Sequence, residues 1–155
     1  MKNENKPERK FDLLKEDQIK KWIENGIDHE AIQFCNEFGK EIAVGKFTTS
    51  QIRIFYGEMR RIELAINNND QNDNDKNDND KVLKDKEKTA FLMLKPRLAY
   101  AEKRNNTVGM QQFRSFFNIA YKYIFNKNSD IPLIYFKNFM YLMEGILAYH
   151  KFYEN

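Results

Sequence analysis

FTTSQIRIFYGEMRRIELAI, residues Phe47 to Ile66, carries a helix start and a long apolar stripe in one stretch. Thr48 stands where an N-cap belongs, with Gln51 three residues on. That is the spacing of a capping box, in which each side chain satisfies the other residue's backbone amide. Phe47 before the cap and Ile52 after it can close a hydrophobic staple over the same turn. Ile52, Phe55, Met59, Ile62 and Ile66 then recur in alternating steps of three and four, which puts them on one helix face. The spacing predicts an α-helix from Thr48 to about Ile66.

The same reading extends both ways. Upstream, Ile19, Trp22 and Ile23 make the apolar side of a short helix from about Leu14 to Glu24, stopped by Asn25-Gly26. Asp28 caps a second helix with Ile32, Cys35, Phe38 and Ile42 inward. Gly45 follows, where a left-handed residue commonly ends a helix. Downstream, a helical stretch begins near Val82 and runs through Ala90, Leu94, Leu98 and Ala101. Pro96 either kinks it or divides it in two, because proline removes a hydrogen bond and clashes with the preceding turn. After Asn105-Asn106 a helix spans about Val108 to Phe125, with Phe113, Phe116, Phe117, Ala120 and Ile124 inward. Ser129 or Asp130 caps the last helix, with Pro132 in its first turn and a stripe of Leu133, Phe136, Met140, Met143 and Leu147.

The expected fold is all-α: a single-domain bundle of about five to six helices over 11–155. A flexible N-terminus (1–10) and a disordered Asn/Asp-rich acidic insertion (67–81) complete the reading. Asn67 to Asp80 reads NNNDQNDNDKNDND and has no apolar residue to offset the entropy of ordering it. Composition agrees. Six Gly and three Pro are few for a strand-rich domain, and 13 Phe with 8 Tyr supply much of the core volume. The start is charged, with no apolar stretch behind it, so no secretory signal is expected. The richest apolar run, Pro132 to Tyr153, is broken by Lys137, Glu144, His150 and Lys151, so no membrane span is expected. A cytoplasmic location is the resulting expectation.

Catalytic sets are missing from the sequence. His29 and His150 lie far apart, each read as an exposed or partly satisfied helix residue. Cys35 is alone and reads as a buried packing residue. No nucleophile elbow, phosphate-cradling glycine loop or helix with two histidines one turn apart occurs. The acidic run approximates a calcium loop, with Asp73, Asp75 and Asn77 in the first ligand slots. It then places Asp78 where a glycine is required and Lys84 where the bidentate acid belongs. A solvated insertion is the better reading. No enzyme activity, cofactor or metal is expected.

Charge is more informative. The net +3 divides into −4 over Asn67 to Asp80 and +7 over the remainder. A small helical domain at +7 attracts phosphates. Arg53 and Arg60 lie seven apart on one helix face with Gly57 between them and Arg61 beside. Guanidinium forks suit phosphate oxygens, and the glycine leaves room for a backbone to come close. Lys95, Arg97, Lys103 and Arg104 form a second cluster with Tyr100 interleaved, a mixture able to track a sugar–phosphate backbone without reading bases. The competing reading is that these are solvated faces, with Arg60 and Arg61 paired to Glu58 and Glu63. The C-terminal helix carries Tyr135, Phe136, Phe139, Tyr141, Tyr149, Phe152 and Tyr153. That exceeds what one stripe can bury, so part reads as core and part as a face for another subunit.

Three stretches together, FTTSQIRIFYGEMRRIE (Phe47 to Glu63), LMLKPRLAYAEKR (Leu92 to Arg104) and FKNFMYLMEGILAYHKFY (Phe136 to Tyr153), resemble the small helical subunit of the type III-A CRISPR (Csm) interference complex. The resemblance implies a non-catalytic protein present in several copies, forming a filament or dimer with itself and contacting other Csm subunits. It would lie along the crRNA and target RNA, with cleavage and cyclic oligoadenylate synthesis left to other subunits. The family's basic character falls on Arg53, Arg60 and Arg61 in the first motif and on Lys95, Arg97 and Arg104 in the second. The sequence departs from the pattern at Ile54, where a polar or basic residue is expected, and at Gly145, where alanine is expected. The Asn/Asp insertion is a third departure. The expected function is therefore bracing of an RNA duplex through phosphate contacts. The alternative is a helical protein–protein scaffold with no nucleic-acid contact, and a metal-dependent enzyme using the acidic run is a remote third.

Overall fold

The computed structural model describes residues 12–70, 77 and 80–154, with backbone alone for 68–70. Seven helices occur among them: α1 (Glu16–Asn25), α2 (His29–Val44), α3 (Thr49–Asp70), α4 (Asp85–Leu92), α5 (Leu94–Arg104), α6 (Val108–Tyr123) and α7 (Leu133–Tyr153). The β pairing among the described residues is one isolated antiparallel bridge, Val82 to Pro132. The architecture is all-α and single-domain, as expected. Because α4 and α5 meet directly at Met93, they form two arms of one bent rod.

Local chemistry sets most boundaries. Gly26, at φ 108°, ends α1 and returns its amide to the Trp22 carbonyl at 2.9 Å. The Asp28 carboxylate accepts from the Ala31 amide at 2.9 Å and opens α2. Thr48 and Gln51 form the anticipated capping box: the Thr48 amide donates to Gln51 Oε1 at 3.0 Å, and the Gln51 amide to Thr48 Oγ1 at 3.2 Å. The Thr107 hydroxyl caps α6 by accepting from the Met110 amide at 3.1 Å.

Four expectations need correction. The left-handed residue after α2 is Lys46 (φ 73°), whereas Gly45 has an ordinary φ of −76°. Gly45 is required instead by a close approach to α6. Neither Ser129 nor Asp130 caps α7. Pro132 holds the cap position, and the Leu133 amide donates to the Lys81 carbonyl at 2.9 Å, so the chain after the Asn/Asp tract takes over the capping. The stretch 81–84 is accordingly extended, and helix resumes at Asp85 rather than near Val82. Finally, α3 runs on through Asn67 to Asp70 into the tract expected to be disordered. The expectations for 1–10 and for most of 71–79 lie outside the described residues.

Pro96 divides the stretch in two, with the break three residues ahead of it. The helix turns at Met93, which leaves Pro96 in the first turn of α5, where its missing N–H has no helical partner to lose.

The core is built on aromatic rings. Phe113, Phe116 and Phe117 of α6 are fully buried and reach rings on α2, α3, α4 and α7. Phe55 of α3 stands edge-on between Phe113 (5.3 Å, 88°) and Phe117 (5.2 Å, 89°). Edge-to-face pairs of this kind add about 0.5–1.5 kcal/mol beyond area burial. They also fix the roll of α3 about its axis.

Helix α7 packs most closely on α2, through two glycines. A Cβ on Gly39 would come within 2.8 Å of the α7 backbone at Ile146 and His150, and one on Gly145 within 2.7 Å of Cys35 Sγ. The glycine at 145 thus answers the thiol opposite. Cys35 is buried as read, but Ile32 is 47% exposed, its inward place taken by Ala31 and Phe34. The α7 aromatics divide: Phe136 and Phe139 are buried, while Tyr141 and Phe152 are 60% and 76% exposed. No described helix is long and apolar enough to cross a membrane.

Candidate nucleic-acid interface

With Phe55 locked against α6, the opposite face of α3 is set by the helical period. Ser50, Arg53, Ile54, Gly57, Arg60 and Arg61 follow one another along the solvent side. Gly57 has nothing within 4 Å of where a Cβ would sit. A glycine in the interior of an exposed helix costs about 0.5–1 kcal/mol relative to alanine, so the notch has a price the monomer's own packing does not explain.

Helix α5 is oriented by Leu94 and Leu98, both buried. Their burial sends Arg97, Tyr100 and Arg104, spaced by three and four, to the surface facing α3. Between the two helices lies a groove of about 330 Å³, with Ile54 and Glu58 of α3 on one wall and Arg97, Tyr100 and Arg104 of α5 on the other. Its floor is apolar, from Phe55, Leu94 and Leu98.

The two sequence clusters are therefore brought together in part. Glu58 joins them: its carboxylate accepts from Arg61 Nη1 at 2.9 Å and lies 3.6 Å from Arg97 Nη1. The Arg104 guanidinium sits over the Tyr100 ring, 5.8 Å from its centroid. Arg53 and Lys103 are exposed and have no ion pair among the described residues.

Two residues go elsewhere. Arg60 pairs with Glu63 and lines a separate groove between α3 and α7 with Tyr56, Lys137 and Glu144. Burial raises the Tyr56 phenol above its ordinary value there. Lys95 leans away over Tyr121 of α6, 4.4 Å from its ring centroid.

The competing reading of paired faces is thus realised at Arg60, Arg61 and Arg97. These pairs are solvent-exposed to differing degrees, and exposed pairs contribute about 0–1 kcal/mol. A phosphate can replace such a carboxylate at little cost.

Sequence reading missed several contributors. Ile54, seen only as a departure from a family pattern, is 76% exposed and walls the groove. Glu58 entered only as a neutralising neighbour, yet it bridges two helices. Of the two readings of His150, exposed or partly satisfied, the second holds: it is 1% exposed, and its Nε2 bonds the Phe47 carbonyl just ahead of α3. Glu154 reaches the start of α3 from the far end of α7: the Thr49 amide donates to its Oε2 at 2.9 Å, and the Thr49 hydroxyl to its Oε1. Nothing in the local sequence signals either contact, since more than a hundred residues separate the partners. Among the described residues no group of three or more His, Cys, Asp or Glu is placed to hold a metal ion.

A family model described as Csm2 Type III-A matches residues 28–155, from the α2 cap to the end of α7 and including both walls of the groove. No curated protein and no solved structure matches the chain.

Proposed function

Because the chain belongs to the Csm2 family, the small subunits of type III-A CRISPR-Cas complexes, we propose that its α3–α5 face braces the crRNA–target RNA duplex. The contacts are sequence-independent and made to phosphates. Arg53, Arg97, Lys103 and Arg104 supply the exposed charge, and Arg61 follows through Glu58. Arg60 and Lys95, which point to other surfaces, play a lesser part. Guide–target pairing supplies the specificity, other subunits carry the catalysis, and this chain has none. A cytoplasmic location follows from that role.

The observation that carries the reading is the Glu58 carboxylate, which ties Arg61 of α3 to Arg97 of α5 at the edge of a groove that Arg97 and Arg104 line. Binding by one copy is weak and falls steeply with salt, because each neutralised phosphate releases counterions. Several copies along one duplex raise the effective affinity without new contacts.

Charge reversal tests it. In the assembled complex, Arg53→Glu with Arg97→Glu is expected to lower target-RNA retention. The salt slope should flatten by about one unit per lost phosphate contact, with the subunits still co-assembling. Unchanged retention rejects the reading.

A second reading, a protein–protein scaffold, is favoured by Arg60, Arg61 and Arg97 already having carboxylate partners. The exposed Tyr141 and Phe152 of α7 point the same way. RNA photocrosslinks on α3 and α5 favour bracing; protein crosslinks alone favour the scaffold.

A further inference from the structure

Backbone bracing leaves part of the α3–α5 groove unexplained. Phosphate contact needs charge, yet the groove is floored by apolar side chains and carries two large exposed ones, Ile54 at 76% and Tyr100 at 63%. Open side chains over an apolar floor, rimmed by charge, make the kind of contiguous patch that marks a ligand groove. The ring also has a cation beside it, Arg104, with Arg97 one helical turn earlier.

Size and charge narrow the occupant. A volume of about 330 Å³ lies at the lower end of the range for small-molecule sites, ~300–1,000 Å³. That suits one planar ring system and is too small for a helix laid into a groove. Cations edge the α5 side, which favours an occupant carrying negative charge next to an apolar plane. Glu58, held between Arg61 and Arg97, adds a hydrogen-bond acceptor with its charge balanced. An acceptor there suits a ring bearing an amino group. Apolar plane, amino group and adjoining phosphates together describe a nucleotide.

We infer that the groove between α3 and α5 takes a single unpaired nucleobase, stacked on Tyr100 against Ile54, with its flanking phosphates on Arg97 and Arg104. The inference rests on the RNA-bracing reading and extends it from the duplex backbone to a base that has left the stack. Every base has a π face, so stacking itself is tolerant of sequence. Glu58 adds a preference for bases with an exocyclic amine.

The test uses the full chain, fluorescence anisotropy at low salt, and two RNA duplexes that differ by one bulged adenosine. The wild-type chain is expected to bind the bulged duplex about tenfold more tightly, the size of effect typical of one base stacked on an aromatic ring. Tyr100→Leu removes the preference, bringing the two duplexes to equal affinity; Tyr100→Phe keeps it. Arg53→Glu weakens both duplexes alike. Equal binding of the two duplexes by the wild-type chain, or a preference that survives Tyr100→Leu, overturns the nucleobase inference and leaves backbone bracing standing. Failure to bind either duplex overturns both.

Discussion

The amide of Gly109 donates to the carbonyl of Gly45 at 2.8 Å, where the end of α2 meets the start of α6. Each glycine excludes a side chain on the other's account: a Cβ on Gly45 would lie 2.6 Å from the Gly109 nitrogen. One on Gly109 would lie 2.5 Å from the Ile42 carbonyl oxygen and 2.8 Å from the Phe47 nitrogen. All these obstacles are backbone, which cannot rotate aside. Gly109→Ala is therefore expected to cost about 1–3 kcal/mol, read as a lower urea midpoint with the slope unchanged. An unaltered midpoint would show that the two helix ends separate freely. The crossing also holds Phe47, whose ring lies 4.8 Å from Phe113, so it bears on where α3 begins.

Gly57 gives the opposite expectation. With open space around it and a helix on either side, Gly57→Ala should raise stability by about 0.5–1 kcal/mol. On the proposed function the same change fills the notch beside Arg53 and Arg61 and weakens RNA binding. Thermal unfolding and anisotropy on one sample measure both. Greater stability with undiminished affinity would place the polynucleotide elsewhere on the surface.

Gly145 and Cys35 form a coupled pair across α2 and α7. Gly145→Ala should destabilise by about 1–3 kcal/mol, since its Cβ would meet Cys35 Sγ at 2.7 Å. Cys35→Ala removes that sulfur, so the double variant should recover part of the loss, and a double-mutant cycle reports the coupling. Burial pushes the Cys35 thiol up to about 12, so the native protein should resist alkylation at neutral pH and react once unfolded. Additive single effects, or rapid native alkylation, would contradict this packing.

Glu154 makes the cap of α3 pH-dependent. The Thr49 hydroxyl, and after it the Thr49 amide, hold the Glu154 carboxylate below its ordinary value. A lowered folded-state pKa means the unfolded chain binds the proton more readily. The contribution is therefore complete above the unfolded value, roughly 4.3, and is lost as pH falls through the lower folded value. Glu154→Gln should be less stable than the parent at neutral pH, and the gap should close in strong acid. The carboxylate is solvent-screened, so the effect is modest. A gap of equal size at both extremes would assign the loss to shape rather than charge.

Arrangement of the helices was legible wherever the deciding residues lie within a turn of one another. The Thr48–Gln51 box, the Asp28 cap and the Gly26 stop each involve neighbours at most four apart. The Ile52 to Ile66 stripe needs only the helical period. The two misread points near helix ends, Lys46 and Pro132, depend on partners across the molecule: the Gly109 approach and the extended 81–84 stretch.

For the candidate interface, amino-acid order alone determined that arginines would line the outer side of α3 and α5, because the inner sides are apolar. Tertiary structure decided which of them meet. The ring of Phe55, wedged between Phe113 and Phe117, sets the roll of α3 so that Glu58 reaches Arg97 of α5 while Arg60 turns toward α7. Helical periodicity is a property of consecutive residues and can be read along the chain. The angle at which one helix presents its face to another comes from packing between distant segments, and that is settled only when the core closes.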